Sequence, residues 1–129
     1  MQSQPTRYTS NDTGHIWGRN YVYILWCPLS KQVKYVGYST MPPRIRLQNH
    51  QSEARNLSNH GRAKSRWIYS LLEQATSPVL RVVKYFDTQY EAIVYEAELI
   101  KSIGLRRPLL NGNKGELGLI ASYRSRLNA

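Results

Sequence analysis

Arg46 and His50 stand four residues apart, a spacing that puts both side chains on one side of a helix. His50 also falls within an apolar stripe of Leu47, Ala54 and Leu57, at i, i+3, i+7 and i+10. Glu96 interrupts a second stripe made of Ala92, Leu99, Ile100 and Ile103, whereas Glu91 and Glu98 belong to a more polar flank. A polar group on an inward face must be hydrogen-bonded, paired with a counter-charge or bound to a cation. Taken singly, Glu96 reads as one end of a buried ion pair with an arginine, and His50 as a satisfied core histidine. Together with Arg46 and nearby tyrosines they form a set suited to phosphate-ester chemistry. The carboxylate would hold a divalent cation, the arginine would stabilise charge developing on the phosphate, and Tyr or His would handle the proton of the attacking water.

The elements that must position these groups follow from the pattern around them. Residues 21–26 are β-branched and aromatic and predict a buried strand. A loop at 27–32 and a second strand at 33–38 predict an antiparallel hairpin. Thr40, Pro42 and Pro43 signal a helix start, since proline suits the first turn. That helix should run over 43–56, with Leu47, His50, Ala54 and Leu57 inward. Asn59-His60-Gly61 separates it from a helix at 62–74 that should bury Ala63, Trp67 and Leu71, with Ile68 and Leu72 beside them. A third strand is predicted at 78–86. Thr88 and Glu91 have capping-box spacing for a third helix, with Gly104 as its C-cap. Leu109-Leu110-Asn111 is read as a short extended piece before the glycine-rich stretch 112–118. The order ββααβα predicts an α/β chain of the α+β kind, a small three-stranded mixed or antiparallel sheet flanked by helices. Residues 1–20 read as an N-terminal tail or strap anchored by Ile16 and Trp17, residues 21–118 as one domain, and residues 119–129 as a C-terminal tail.

The chain of 129 residues suffices for one core, and three Trp with ten Tyr supply large buried areas. Eighteen Lys and Arg against eight Asp and Glu leave a net charge of +10. Such a surface attracts polyanions, of which phosphate backbones are the commonest in a cell. Arg44, Arg55, Arg62, Lys64 and Arg66 cluster on and between the first two helices and form the candidate backbone-tracking patch. For each of them a solvated face is the competing reading. Cys27 is the sole cysteine, which excludes an intrachain disulfide and a cysteine-based zinc site. It also fits a reducing compartment. No apolar run approaches a membrane span, and none follows the first residues as in a secretory signal, so the expected location is cytoplasmic.

Several of these residues fall into one known pattern. Tyr21-Val22-Tyr23 followed after a loop by Tyr35-Val36-Gly37 resembles the paired three-residue signature of the GIY-YIG nuclease family. Arg46-Leu47-Gln48-Asn49-His50 resembles the Arg-Leu-x-x-His element of that family's first helix. The run from Glu91-Ala92 to Glu96-Ala97-Glu98-Leu99-Ile100-Lys101 resembles the helix carrying its metal-binding glutamate, and Leu110-Asn111 resembles its closing Leu-Asn element. The match covers about residues 21–118 and lies in the family's order.

The resemblance implies a divalent-metal-dependent endonuclease that hydrolyses phosphodiester bonds in DNA with Mg²⁺ (or Mn²⁺). Tyr23 and Tyr35 match the two signature tyrosines, one of which is implied to activate the attacking water. Arg46 matches the arginine that steadies the scissile phosphate, and His50 a histidine that assists proton transfer. Glu96 matches the ligand of the single metal ion, and Asn111 the asparagine that helps hold the site together. The hydroxyl of Tyr35 is expected beside His50, with His50 as its proton acceptor. Gly37 has a physical reason of its own, because a missing side chain permits a close approach. Tyr21 replaces the first glycine of the signature, valines replace both isoleucines, and Tyr38 stands where some relatives carry lysine. With little room for a separate recognition domain, a structure-selective or weakly sequence-specific cutter is expected, unless a protein partner or a homodimer supplies specificity. The alternative is a catalytically inactive basic nucleic-acid-binding module of the same fold. Inward polar groups at the matching positions favour the enzyme.

Overall fold

The β-branched and aromatic run ahead of the first loop forms strand β1 (Asn20–Cys27), which pairs antiparallel with β2 (Gln32–Ser39). In this computed structural model residues 18–111 are described. Expectations for the N-terminal strap with Ile16 and Trp17, the glycine-rich stretch and the C-terminal tail lie outside the described residues, apart from positions 18–20. Helices α1 (Pro43–Arg55) and α2 (Ala63–Glu73) follow, then β3 (Val79–Phe86) and α3 (Gln89–Gly104). The sheet has the order β2-β1-β3, and both pairings are antiparallel. The mixed arrangement, one of the two anticipated, is therefore not adopted.

Strand alternation divides the side chains between two layers. Tyr21, Tyr23 and Leu25 point to one face, where Leu80 joins them and Ala54 of α1 and Ile68 of α2 pack on top. Val22 and Val36 point to the other face and meet Ala92 and Ile100 of α3. The sheet is thus sandwiched, with α1 and α2 on one side and α3 on the other.

Helix α1 starts at the Pro42-Pro43 pair without a side-chain cap, as proline at the first turn allows. It ends at Arg55, where the Asn56 side chain accepts from the Ser58 amide and starts a tight turn over Leu57–Asn59. Leu57 is therefore 65% exposed and does not extend the inward stripe, a correction to the sequence reading. In α2 the buried residues are Ser65, Ile68 and Leu71, so the stripe is rotated from the expected one. The compact Ser65 meets the core, Trp67 packs at its margin, and Ala63 faces out.

At α3 the cap takes the expected form, with Thr88 Oγ1 accepting from the Glu91 amide and its hydroxyl donating to the Glu91 carboxylate. Gly104 is not a left-handed cap. It is the last helical residue, and the chain continues through Leu105 in right-handed geometry, with the Arg106 and Arg107 amides both bonded to the Ile103 carbonyl. No reversal of hand is needed there, so glycine is not required. At Gly37 the requirement is real. A Cβ on that residue would sit 2.8 Å from Tyr23 Cε1 and closer still to the ring's hydroxyl end.

Candidate active site

Register decides which tyrosine is held inside. Tyr23 lies opposite Gly37 across the hairpin, while Tyr35 lies opposite Leu25 two rungs further along. Because Gly37 has no side chain, the Tyr23 ring lies over β2 and its hydroxyl reaches the underside of α1. There Tyr23 Oη is 2.6 Å from His50 Nε2. Arg46 Nε donates to the same phenol oxygen at 3.1 Å. The helical spacing of Arg46 and His50 therefore delivers what it promised, with both side chains converging on one group.

The protonation of this trio follows from burial and charge. Tyr23 and His50 are both 0% exposed. Burial, reinforced by Arg46 and Lys64, pushes His50 down to about 2, so the ring is neutral at physiological pH. Burial also holds the Tyr23 phenol well above the usual tyrosine value, against the opposing pull of Arg46. The phenol is therefore protonated. Its oxygen already accepts from Arg46, which can only donate. Its proton then goes to His50 Nε2, which leaves the imidazole proton on Nδ1.

Tyr35 stands beside His50, but His50 Nε2 is not its proton acceptor. It meets His50 through ring edges, with centroids 5.6 Å apart at 74°, while the hydrogen bond to His50 Nε2 belongs to Tyr23. Half-buried, Tyr35 lines a cleft of about 530 Å³ shared with Gly61, Arg62, Ala63, Lys64, Leu109, Leu110 and Asn111. The cleft follows the free edge of β2. Asn111 closes that edge like a short strand: its side-chain oxygen accepts from the Val36 amide at 3.1 Å, and its nitrogen donates to the Val36 carbonyl at 2.7 Å. The Leu110 amide adds a bond to the Lys34 carbonyl at 2.7 Å. Asn111 is thus a clamp on the strand that carries Tyr35.

The five candidate binding cations separate into distinct environments. Arg44, Arg55 and Arg62 are exposed on the α1–α2 side, and Arg62 reaches the cleft. Arg66 is exposed too, but its Nη1 donates to the His60 carbonyl at 2.7 Å and steadies the turn between the helices. Lys64 is no surface charge: its side chain is 12% exposed, paired with Glu53 at 3.5 Å and 5.0 Å from the centroid of the Tyr35 ring. Burial lowers it below the ordinary lysine value although Glu53 pulls the other way. Glu53 itself escaped the sequence reading. Its position three residues after His50 and seven after Arg46 puts it on the same helical stripe, a signal that the spacing already carried.

Glu96 enters from a different layer. It is half-buried on α3, which packs on the sheet face opposite α1 and α2, and it stands outside the hydrogen-bonded trio of Tyr23, Arg46 and His50. Among the described residues no group of three or more His, Cys, Asp or Glu side chains is arranged to hold a metal ion. His50 is enclosed and engaged through Nε2, so it is no free ligand. One carboxylate as the sole protein ligand does not suit a resident zinc or calcium site. It does fit Mg²⁺ or Mn²⁺, which keep most of their waters and complete their shell with substrate phosphate oxygens.

No described helix is long and apolar enough to cross a membrane. A family model for the GIY-YIG catalytic domain matches residues 19–106. No curated protein and no solved structure matches the chain.

Proposed function

From the membership of this chain in the GIY-YIG family, we propose that it is an endonuclease that hydrolyses phosphodiester bonds in DNA with the help of a divalent cation. The observation that carries this reading is the buried phenol of Tyr23, held between a neutral imidazole and a guanidinium. A decayed binding module has no use for such a group, whose burial is costly unless each polar atom is answered.

Tyr23 lies beneath Arg46, so water reaches the phenol oxygen once a substrate phosphate draws Arg46 outward. The attacking water then gives its proton to the Tyr23 oxygen while the phenol proton passes to His50 Nε2. The water oxygen forms a new bond to phosphorus, the bond to the leaving sugar oxygen breaks with its electron pair, and that oxygen takes a proton from solvent. Arg46 steadies the charge that builds on the phosphate. A divalent cation held by Glu96 supplies further positive charge for the phosphate when bound. Burial is the main influence that keeps His50 from accepting a proton, and the phosphate's own negative charge offsets the two smaller ones, Arg46 and Lys64, so part of its basicity returns when substrate is present. Tyr35, Lys64 and Arg62 line the approach, where cationic groups suit a backbone better than a base sequence. That composition supports a structure-selective or weakly sequence-specific cutter, with any stricter choice left to a partner or a second copy.

The test is nicking of supercoiled plasmid DNA in Mg²⁺, with chelator and Glu96→Gln as controls. Wild type should convert plasmid to the open form. Glu96→Gln should lose cleavage by roughly three orders of magnitude, the scale of several kcal/mol of charge stabilisation. DNA binding should stay nearly unchanged. Wild-type cleavage at full rate in chelator would refute the metal-dependent reading.

A further inference from the structure

His50 carries a donor with no acceptor. With Nε2 engaged by Tyr23, the imidazole proton sits on Nδ1, which is fully buried and has no hydrogen-bond partner. Buried polar atoms are seldom left so, and an exception calls for a use. Glu53 is one turn along α1, and its Oε1 is 3.9 Å from Nδ1, beyond hydrogen-bond reach. The same oxygen is 3.5 Å from Lys64 Nζ. Lys64 in turn borders the cleft beside Tyr35. One carboxylate is thus shared between a buried N–H that it does not quite reach and a lysine that faces the substrate's path.

We propose that Glu53 is the positioning residue for His50, held off by Lys64 until a phosphate of the bound strand draws that lysine into the cleft. The side chain of Glu53 is 44% exposed, so it is free to turn. Once released, the carboxylate closes on Nδ1–H, fixes the ring and stabilises the imidazolium formed when the proton of Tyr23 arrives at Nε2. The proton count closes within the relay: one proton enters at Nε2, the other stays on Nδ1, and Glu53 accepts a hydrogen bond without taking a proton. The described groups facing His50 are Tyr23 from β1, Tyr35 from β2, Arg46 and Glu53 from α1, and Lys64 from α2. Among these Glu53 alone is an anion at neutral pH, so it alone favours the charged ring. The inference rests on the nuclease reading and adds to it a device that couples phosphate arrival to the strength of the base.

Single-turnover DNA cleavage in Mg²⁺, followed across the pH range in which the full chain stays folded, tests it with Glu53→Gln. The plateau rate should fall roughly 10- to 100-fold, the usual effect of losing a group that orients another. Binding to DNA should stay equal or become tighter. The acid limb should move to lower pH, because an imidazolium without its counter-charge gives up its proton more readily. An unchanged plateau, or a lower one with the acid limb unmoved, overturns the proposal, since a merely structural loss scales the whole profile. A second measurement needs no cleavage. In ¹⁵N-imidazole spectra at neutral pH without DNA, Lys64→Met should shift the Nδ1–H resonance of His50 to that of a hydrogen-bonded donor, and adding Glu53→Ala should take back most of that shift. Equal Nδ1–H resonances in the two variants overturn the proposal. If wild type cuts no DNA at all, the nuclease reading falls, and this spectrum still decides the role of Glu53.

Discussion

Strand β1 sends Tyr21, Tyr23 and Leu25 to one side of the sheet and Val22 and Ile24 to the other, and the two sides are built by different rules. Toward α3 the buried contacts are aliphatic and aromatic: Val22 and Val36 against Ala92 and Ile100, with the rings of Phe86 and Tyr95 tilted against each other at 5.1 Å. Shape and area are enough there. Toward α1 and α2 the core admits a phenol, an imidazole and a serine hydroxyl, and its order depends on directed bonds. Tyr21 donates to the Met41 carbonyl, and Tyr23 links His50 to Arg46. Alternate residues of one strand therefore serve stability on one face and chemistry on the other. Glu96 is the exception, a half-buried carboxylate brought by the apolar side's helix.

Substitutions should separate the two faces. Ile100, 7% exposed, belongs to the aliphatic side, and Ile100→Ala should cost about 2–5 kcal/mol of stability. Urea unfolding measures that loss, and the cleavage rate per folded molecule should remain within several-fold of wild type. A variant that stays as stable but loses cleavage would break the division.

A smaller effect is expected from the polar side, and it depends on pH. The folded pKa of His50, about 2, lies below its unfolded value, so the unfolded chain takes up a proton that the folded chain refuses. Stability tied to this group is complete above roughly pH 6.5 and falls as pH drops below it, by about 1.4 kcal/mol per pH unit. His50→Gln, which does not titrate, should flatten the loss of stability between about pH 6 and about pH 4 by roughly 2 kcal/mol. Ile100→Ala should keep the wild-type slope. The smallest effect belongs to the exposed cations of the same side. Replacing Arg55 and Arg62 together by Ala should weaken binding to all DNA sequences alike and reduce the salt slope by about 2. Loss confined to one sequence would indicate base readout instead.

Much of this frame is legible from residue order. The β-branched strands, the Pro42-Pro43 start of α1, the Thr88 cap and the Arg46/His50 pair are all local signals. Helix ends lay within a residue or so of their expected places, since caps and turns are local too. The failures come from relations between elements. Which tyrosine bonds His50 Nε2 depends on Gly37 lying opposite Tyr23, a fact of hairpin register. Lys64 reads as a surface charge because lysine usually is one, yet Glu53 and the Tyr35 ring enclose it. Glu53 sat on the right stripe, but a carboxylate next to Ser52 and two residues before Arg55 looks like a solvated face. The periodic stripe also ran two residues past the true end of α1, because Asn56 redirects the backbone before Leu57.

The assignment of Tyr23 as the group that takes the water's proton is tested most directly by single-turnover cleavage with Tyr23→Phe and Tyr35→Phe side by side. Phenylalanine keeps the packed ring in each case, so circular dichroism and DNA affinity should match wild type. Tyr23→Phe removes the oxygen that joins His50 to Arg46, and the chemical step should slow by roughly two to four orders of magnitude. Tyr35→Phe should stay within about tenfold of wild type, as expected for a group that shapes the cleft without taking the proton. The reverse order, with Tyr23→Phe active and Tyr35→Phe dead, would contradict the assignment and move the water to the cleft tyrosine.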